Sequence, residues 1–521
     1  MKKPLSFLVV LSLCVSLLLP LGALAEKTEE PYEMTIWMPF LHSAFMSSYD
    51  EVKCVQEIAA KTNVKVKFVH PPVGQETEAF NVMVASGDYP DAIYYRWSDY
   101  PGGLTKAIQD GLLISLTPYE EQLPNLMAMF KEYPEIDVQA RLDDKTLPWM
   151  PAAANDLRRR AFAGTLVRQD WLDKLNLKMP TTVDEFKAML VAFKTGDPNG
   201  NGQADEIGLV DDKTAAFIKS LSTAWGIRDK WMIDPATGKV TYGPIQSAFK
   251  DYLKTMNEWY AQGLIDPEFA SVDSKMRDAK ISSSTAGVFY GNTATFEKFV
   301  KLIVGEVPEV DWEGMPYLLG PAGVDYAYDE NRVRLVWGQG VGVTTGCKNV
   351  EAVLRFLDYA YSKEGYDYYG WGIEGESYTK ENGVYTLTEA ITNSPDGLPT
   401  TSAIVRYAFG NNGFAKVHNF DFWKATELNN KAAVDANELW FTADNTLLLP
   451  LLNLTETESK KLAAIMNEVD TYFNENFFRF IMGTESLDNF DKFVSTIKQM
   501  GIDDAIAIQQ GAYERYLSKK N

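Results

Sequence analysis

A strand, a helix and a second strand follow one another near the N-terminus, and this order constrains the fold more than any other feature. Residues 34–37 and 64–69 have the apolar and β-branched pattern of strands, and residues 50–61 have the spacing of a helix. Residues 92–95 predict another strand after a further helical stretch. Strands that alternate with helices form mainly parallel sheets, and ligands bind beyond the carboxyl ends of such strands. The sequence therefore predicts an α/β protein with a crevice at that edge.

The first 25 residues have the pattern of a cleaved export signal. Lys2 and Lys3 precede an apolar run over residues 5–19, and residues 23–25 supply the small side chains that a signal peptidase requires. We therefore expect the mature chain to begin at Glu26. A cysteine within the apolar run leaves lipid modification as an alternative, although a bulky residue precedes it. No later uninterrupted apolar stretch reaches about eighteen residues, so we expect an exported, soluble protein.

The mature chain is long and acidic, which bounds its domain count and its partners. It has 496 residues (521 − 25), enough for two or more domains. Removal of Lys2 and Lys3 moves the formal charge from −21 to −23 (−21 − 2). An acidic exported protein repels nucleic-acid phosphates and anionic lipid surfaces alike. We therefore expect neutral solutes or cations as partners, and no nucleic acid.

Residues 197–206 alternate oxygen-bearing side chains with glycines, as a short loop does around a hard cation. The oxygen donors fall at positions 1, 3, 5, 7 and 9 of an EF-hand-type loop, and Gly202 falls at position 6, where the chain turns sharply. The match ends at position 12, where Gly208 replaces the bidentate glutamate. The alternative is a solvated Asn-Gly turn, since the same residues are common turn formers. The predicted Ca²⁺ ligands are Asp197, Asn199, Asn201, Gln203, Asp205 and Glu206.

A predicted helix leads into this loop. Thr182 and Glu185 have the spacing of a capping box, and apolar residues then recur at helical intervals until Gly196 ends the helix. The residues of its apolar face are Phe186, Met189, Leu190 and Phe193. Farther along, residues 231–242 have the pattern of a hairpin with Pro and Gly in its turn. The cation loop is thus expected at the end of a helix.

Several phrases of the sequence, with the export signal, resemble a family-1 extracellular solute-binding protein. The phrases are 85–91 (ASGDYPD), 168–175 (RQDWLDKL), 181–186 (TTVDEF), 258–260 (EWY), 263–267 (GLIDP) and 371–375 (WGIEG). Within that family the chain is most similar to the branch of large calcium-carrying oligosaccharide receptors that includes alginate-binding proteins. The resemblance spans nearly the whole mature chain. The lipid-modified cysteine usual in Gram-positive relatives is absent, which leaves the mode of surface attachment open.

The resemblance implies a periplasmic-binding-protein-like clamp of two α/β lobes, each a mainly parallel sheet flanked by helices and discontinuous in sequence. It places residues 26–162 and 318–402 in lobe 1, and residues 163–317 and 403–521 in lobe 2. It also implies that Ca²⁺ is a structural brace of lobe 2, away from the ligand cleft. The protein is then expected to be a monomer that delivers an oligosaccharide to the membrane permease of an ABC transporter.

Aromatic residues support a sugar ligand, because aromatic planes pack against the apolar C–H faces of sugar rings while polar side chains bind the hydroxyls. Several tryptophans stand beside Gly, Pro, Ser or Asp in expected loops, where binding residues concentrate. The predicted ligand-binding residues are Trp37, Trp97, Arg168, Trp225, Trp337, Trp371 and Glu374. The alternatives carry equal weight: each tryptophan is a core anchor, and Arg168 and Glu374 form surface ion pairs.

A secreted glycan hydrolase is the competing class, because two carboxylates about 5–10 Å apart suffice for glycoside hydrolysis. With 71 acidic residues, the sequence does not exclude such a pair. It contains no G-x-S-x-G elbow, no H-E-x-x-H helix and no Gly-rich phosphate loop. His42, His70 and His418 are scattered, and we expect each to be structural. The sequence therefore predicts a binding protein and not an enzyme, with a peptide as the alternative ligand.

Overall fold

The computed structural model describes residues 30–42, 44–293, 310–428 and 431–520, together with Thr295 and Phe299. The predicted signal peptide lies outside the described residues. The strands, in chain order, are β1 (Tyr32–Trp37), β2 (Val64–Val69), β3 (Ala92–Arg96), β4 (Met150–Ala154), β5 (Ala163–Arg168), β6 (Ile207–Leu209), β7 (Trp231–Ile233), β8 (Val240–Tyr242), β9 (Ala286–Asn292), β10 (Trp312–Met315), β11 (Val336–Val343), β12 (Tyr378–Glu381), β13 (Val384–Leu387) and β14 (Val417–His418).

Helices cover the faces of the sheets and form most of the C-terminal part of the chain. In chain order they are α1 (Lys53–Lys61), α2 (Glu76–Ser86), α3 (Gly103–Gln109), α4 (Pro124–Glu132), α5 (Pro134–Ala140), α6 (Gln169–Lys174), α7 (Val183–Thr195), α8 (Ala216–Ser220), α9 (Ser247–Ala261), α10 (Ser274–Ser282), α11 (Val350–Asp358), α12 (Lys363–Trp371), α13 (Glu389–Thr392), α14 (Thr400–Ala403), α15 (Phe420–Glu427), α16 (Lys431–Phe441), α17 (Glu456–Ile481), α18 (Phe490–Gln499) and α19 (Ile502–Lys520). No helix among the described residues is long and apolar enough to cross a bilayer.

The first lobe is built on a six-stranded sheet in the order β14-β4-β11-β3-β1-β2. The strands β1, β2 and β3 pair in parallel, as the N-terminal strand–helix–strand pattern predicts. The strand β11 runs antiparallel to both β3 and β4, and β14 is parallel to β4. The carboxyl ends of β1, β2, β3, β4 and β14 therefore meet at one edge, together with the beginning of β11.

The second lobe is built on a four-stranded sheet in the order β10-β5-β9-β6. This sheet is mixed rather than mainly parallel, because β5 is antiparallel to both β9 and β10 and only β6 and β9 run together. The direction of β5 has a simple cause: the chain enters the lobe through β5 and leaves it through β10. A parallel arrangement would require a long crossover at one of these two places.

Separate hydrophobic cores fill the two lobes, and they correct one predicted boundary. The core of the first lobe includes Phe409, Phe414 and Val417, all of which lie after residue 402. The chain therefore stays in the first lobe until β14 has paired with β4. A strand of two residues leaves no periodic pattern, so the sequence alone does not reveal this return.

The predicted local structure around the cation loop is confirmed. Thr182 and Glu185 form a reciprocal capping box at the start of α7, and Gly196 follows its last turn. The predicted apolar residues on the face of α7 are all buried in the core of the second lobe. Residues 231–242 form the β7–β8 hairpin.

Candidate ligand cleft and metal loop

The directions of the strands identify one edge of each sheet that borders the crossing between the lobes. In the first sheet, Arg96 at the end of β3 pairs with Gln339 near the beginning of β11. In the second sheet, Asn292 at the end of β9 pairs with Ala163 at the beginning of β5. Residues 155–162 connect the end of β4 to the beginning of β5, so a single short segment joins the two edges. We call the space between these edges the interlobe cleft.

Tyrosines line both sides of the interlobe cleft. They are Tyr94 on β3, Tyr290 on β9, and Tyr317 and Tyr328 on the segment that leads back to the first lobe. Each ring is only half-buried, yet burial raises the pKa of each hydroxyl above its usual value. These tyrosines are therefore partly exposed side chains with protein packed around their hydroxyls. These residues place partly exposed aromatic rings on both edges.

Polar groups accompany these aromatic rings. The hydroxyl of Tyr94 donates to Oε1 of Gln339 at 2.7 Å, and that of Tyr328 donates to Oδ1 of Asp229 at 2.9 Å. Asp329 lies among the tyrosines, where burial raises the pKa of its carboxyl and its charge acts on Tyr290. The cleft therefore combines aromatic faces with amide and carboxylate oxygens, the two kinds of group that bind sugars.

Trp337 lies on β11 at this edge, beside a group of basic residues. Its half-buried ring is 5.2 Å from the guanidinium carbon of Arg159 and 4.9 Å from that of Arg160. The imidazole of His418 lies 3.8 Å from the Trp337 ring, centroid to centroid. Trp337 is thus the predicted tryptophan that the structure places at the cleft edge.

Two cavities lie next to the interlobe cleft along residues 449–454. One, of about 170 Å³, lies between Trp97, Trp149 and Leu451. The other, of about 180 Å³, shares Leu451 with the first and reaches Arg228 and Glu330. Trp97 thus lines a cavity although its ring is 1% exposed and donates to the carbonyl of Gly340.

The other predicted tryptophans pack within the lobes. Trp37 is 4% exposed and contacts Phe80 in the first core. Trp371 is 1% exposed and stacks on Tyr385 with ring centroids 4.9 Å apart. Trp225 packs in the second core and borders a separate cavity of about 550 Å³. The structure does not bring these three residues together with Trp337.

The two predicted polar ligand residues also lie apart. Arg168 is 1% exposed, forms two hydrogen bonds of 2.7 and 2.6 Å with the carboxylate of Asp170, and donates to Ser284 at 2.7 Å. This is a buried ion pair rather than the surface pair that the alternative assumed. Glu374 is exposed in the turn that precedes β12.

The predicted metal loop closes on itself through its own side chains. Oδ2 of Asp197 accepts from the backbone N–H of Gly202 at 3.1 Å. Asn199 and Asn201 both donate to the carboxylate of Asp205, at 3.0 to 3.1 Å. Hydrogen bonds therefore link Asp197, Asn199, Asn201 and Asp205 within one compact loop.

Glu206 supplies the observation that tests whether the loop fits a cation. Its side chain is buried, and Oε1 has no hydrogen-bond partner among the described residues. Burial, followed by the nearby charges of Asp197 and Asp205, raises the pKa of its carboxyl. A buried acceptor that lacks a donor suits a cation, so the loop fits Ca²⁺ in the nature of its ligands. Among the described residues, however, no three Asp, Glu, His or Cys side chains are grouped closely enough to hold a metal.

The loop lies at the edge of the second sheet that is farthest from the cleft. It immediately precedes β6, which runs parallel to β9. Because β9 ends at the cleft, β6 begins at the opposite edge. The metal loop and the interlobe cleft are therefore separated by the length of the sheet.

Sequence reasoning missed most of the cleft. The tyrosines carry no local motif, and Arg159 and Arg160 belong to a short 3₁₀ turn, Leu157–Arg160, in the connection between the lobes. His418 was expected to be structurally satisfied, but neither of its ring nitrogens has a partner among the described residues. The run of three arginines at 158–160 was the only local signal available.

The family comparison identifies what kind of protein has this architecture. The profile of the bacterial extracellular solute-binding proteins matches residues 50–367, which is more than half of the chain. The chain belongs to this family. The members of this family are solute-binding proteins, so the prediction of a solute-binding protein rather than an enzyme is confirmed.

Individual relatives match over most of their length. The fructooligosaccharide ABC transporter substrate-binding protein FusA of Streptococcus pneumoniae is 25% identical over 489 residues, which cover 91% of this chain and 88% of FusA. The structure of the alginate-binding protein AlgQ2 without calcium ion has a TM-score of 0.71 at 23% identity and covers 93% of this chain and 98% of its own. An EF-hand mutant of FusA in complex with fructo-nystose has a TM-score of 0.69 at 20% identity, with coverage of 94% and 99%. These structures confirm the two-lobe fold.

Proposed function

We propose that this solute-binding protein captures an oligosaccharide in the interlobe cleft and delivers it to the membrane permease of an ABC transporter. The observation that carries the proposal is the set of half-buried aromatic rings on both facing edges, with amide and carboxylate groups between them. FusA, a fructooligosaccharide-binding relative, supports the same class of ligand. We retain Trp337 as a ligand contact and add Tyr94 and Tyr290 to it.

We also propose that residues 197–206 hold one structural Ca²⁺ through Asp197, Asn199, Asn201, Asp205, Glu206 and the carbonyl of Gln203. The closed loop and the unpartnered Oε1 of Glu206 support the site. Ca²⁺ supplies charge neutralisation where Asp197, Asp205 and Glu206 otherwise repel one another. The similar structures of AlgQ2 without calcium ion and of the EF-hand mutant of FusA support a calcium loop in proteins of this fold.

The domain organisation that we propose follows the cores rather than the predicted boundary at residue 402. The first lobe comprises residues up to about 154 and from about 335 to 418, and the second comprises the remainder of the mature chain. The mature protein is exported and acts as a monomer. Mass spectrometry of the secreted protein tests the export and the mature N-terminus, and light scattering tests the monomeric state.

Differential scanning fluorimetry against panels of oligosaccharides and peptides tests the proposed function. We expect oligosaccharides of two or more residues to raise Tm, because a ligand that binds only the folded state stabilises it. Calorimetry on the hits, followed by mass analysis of the recovered ligand, should return the sugar intact. Stabilisation by peptides alone would favour the peptide alternative, and a shortened sugar would favour a hydrolase.

A further inference from the structure

A cluster of buried basic side chains lies at the first-lobe edge of the interlobe cleft, on the connection between the lobes. Arg160 is 0% exposed, Lys416 is 0% exposed, and His418 is 1% exposed. Arg159 lies beside them at 8% exposure. Trp337, which is half-buried, contacts three members of the cluster. Charged residues are rarely buried unless they are paired, so this cluster requires an explanation.

The cluster lacks the acceptors that its donors need. None of the three guanidinium nitrogens of Arg160 has a hydrogen-bond partner among the described residues. The same is true of Nε of Arg159 and of the two ring nitrogens of His418. Lys416, in contrast, donates to the carbonyl oxygen of Gly410. Most buried polar groups in proteins are hydrogen-bonded, and a guanidinium can only donate. The missing partner of Arg160 must therefore be an acceptor.

The neighbouring carboxylates do not supply that acceptor. Glu427 acts electrostatically on Arg159, but its oxygens accept from Trp423 and Asn411, both at 2.8 Å. Asp329 acts on Arg160 from the connecting segment without a hydrogen bond to it. Burial, and next the charge of Arg159, lowers the pKa of Arg160 well below its usual value. The charged form of Arg160 is thus poorly compensated in the ligand-free protein.

We propose that this cluster binds an anionic group of the transported ligand, a carboxylate or a sulfate ester carried by an oligosaccharide. The proposal rests on the oligosaccharide function above and narrows it to acidic sugars. The planar fork of a guanidinium matches carboxylate and sulfate geometry and forms two parallel hydrogen bonds with either. The guanidinium carbon of Arg160 lies 4.9 Å from the Trp337 ring, so an acidic sugar bound to Arg160 would also lie beside an aromatic side chain. Arg160 lies on the segment that joins the lobes, so the cluster is part of the interlobe connection.

The decisive experiment compares matched ligands that differ only in charge. Wild-type protein is titrated calorimetrically with trigalacturonate, with its carboxyl-reduced neutral trisaccharide, and with a sulfated form of that neutral trisaccharide. We expect at least one charged trisaccharide to bind about tenfold or more tightly than the neutral one. Comparison of the affinities for trigalacturonate and for the sulfated trisaccharide then shows which anion the site prefers. Equal affinity for charged and neutral trisaccharides would overturn the proposal while leaving the oligosaccharide function intact.

Arg160→Gln is the variant that locates the effect, and Arg158→Gln is its matched control. Arg158 is adjacent in sequence but partly exposed, and it pairs with Asp156 at 2.6 Å outside the cluster. We expect Arg160→Gln to abolish the preference for the charged ligand, and Arg158→Gln to keep it. Because Arg160 has no partner in the ligand-free protein, we expect its replacement to leave the ligand-free Tm unchanged or higher. A lower Tm together with an unchanged preference would show a structural role and overturn the proposal.

Small anions separate failure of the anion site from failure of the oligosaccharide function. Free galacturonate, with galactose as its neutral match, and sodium sulfate at constant ionic strength are tested for an increase in Tm. If these anions stabilise the wild type but not Arg160→Gln while no oligosaccharide binds, the anion site stands and the oligosaccharide function falls. If neither small anions nor oligosaccharides bind, both fall. Should Arg160→Gln fail to fold, Arg160→Lys, which keeps the charge but loses the fork, takes its place together with the wild-type comparison.

Discussion

Arg160 and Glu206 are both buried charged residues with unpartnered atoms, but they lie in opposite settings. Arg160 has three nitrogens without acceptors and belongs to the connection between the lobes. Glu206 has one carboxylate oxygen that accepts no hydrogen bond among the described residues. It follows the loop that the Asp197–Gly202 hydrogen bond closes. The guanidinium nitrogens of Arg160 are donors that suit an anion, and the carboxylate oxygen of Glu206 is an acceptor that suits a cation. The proposed ligand cleft and the proposed metal loop thus lie at separate edges of the molecule.

This separation makes the two regions experimentally independent. The cleft forms between the two lobes, so its ligand affinity depends on residues from both sheets. The metal loop lies within the second lobe, between α7 and β6, so its occupancy affects that lobe alone. We therefore expect perturbations of the loop to change stability, and perturbations of the cleft to change affinity.

The largest expected effect concerns a tryptophan that belongs to neither region. Trp371 is 1% exposed and packs against Tyr378, Tyr385 and Phe422. Trp371→Ala should lower the free energy of unfolding by about 3–5 kcal/mol, the usual cost of truncating a buried tryptophan. Urea denaturation measures this change. A stable variant with weakened sugar binding would instead return Trp371 to the ligand site.

Removal of calcium should have the next largest effect and should act on stability alone. If the loop binds Ca²⁺ at a concentration about a hundredfold above Kd, chelation removes about 2.7 kcal/mol of stability. Tm measured with and without a chelator tests this, and ligand affinity measured well below Tm should hardly move. Asp197→Asn should remove the effect of the chelator, and Asn suits the left-handed φ of 47° at this position. Asp184→Asn, an exposed change in the first turn of α7, is the control. An unchanged Tm in the wild type would exclude calcium from the loop.

The same contrast explains how much the sequence could reveal. The metal loop consists of consecutive residues, so its alternation and its turn glycine are visible in ten positions. The cleft draws Tyr94, Arg160, Tyr290 and Trp337 from segments that only the folded topology brings together. Flanking residues were a poor guide to exposure: the glycine after Trp371, with a φ of 88°, ends a helix whose last ring points into the core. The strand–helix order, in contrast, depends on local periodicity and was predicted correctly.

Trp337→Ala should produce a smaller change, in affinity rather than in stability. Its half-buried ring presents an aromatic face at the cleft edge, and the loss of one such contact weakens binding by about 1–3 kcal/mol. Calorimetry with the best oligosaccharide from the panel measures the change, and the calcium dependence of Tm should stay as in the wild type. Trp225→Phe, a conservative change in the second core, serves as the control. Unchanged affinity in a folded Trp337→Ala protein would remove Trp337 from the site.

The last expected effect, confined to acid pH, is a pH dependence of stability at Glu330, next to the cleft. Burial opposes ionisation of Glu330, but the charges of Arg228, Lys230 and Arg334 outweigh it and lower the pKa from 4.5 to about 2. The stability that this lowered pKa contributes is fully present above pH 4.5 and is lost as the pH falls toward 2. Each pH unit in that window changes stability by at most about 1.4 kcal/mol for one proton.

Glu330→Gln tests this dependence. Urea denaturation of the variant between pH 4.5 and the acid limit of folding should show a shallower loss of stability than the wild type, because one titrating carboxylate is missing. Glu374→Gln removes an exposed carboxylate of the first lobe and should keep the wild-type slope. Parallel curves for Glu330→Gln and the wild type would show that the three cations do not hold Glu330 ionised. Burial would then outweigh the charges of Arg228, Lys230 and Arg334, and Glu330 would contribute no pH-dependent stability next to the cleft.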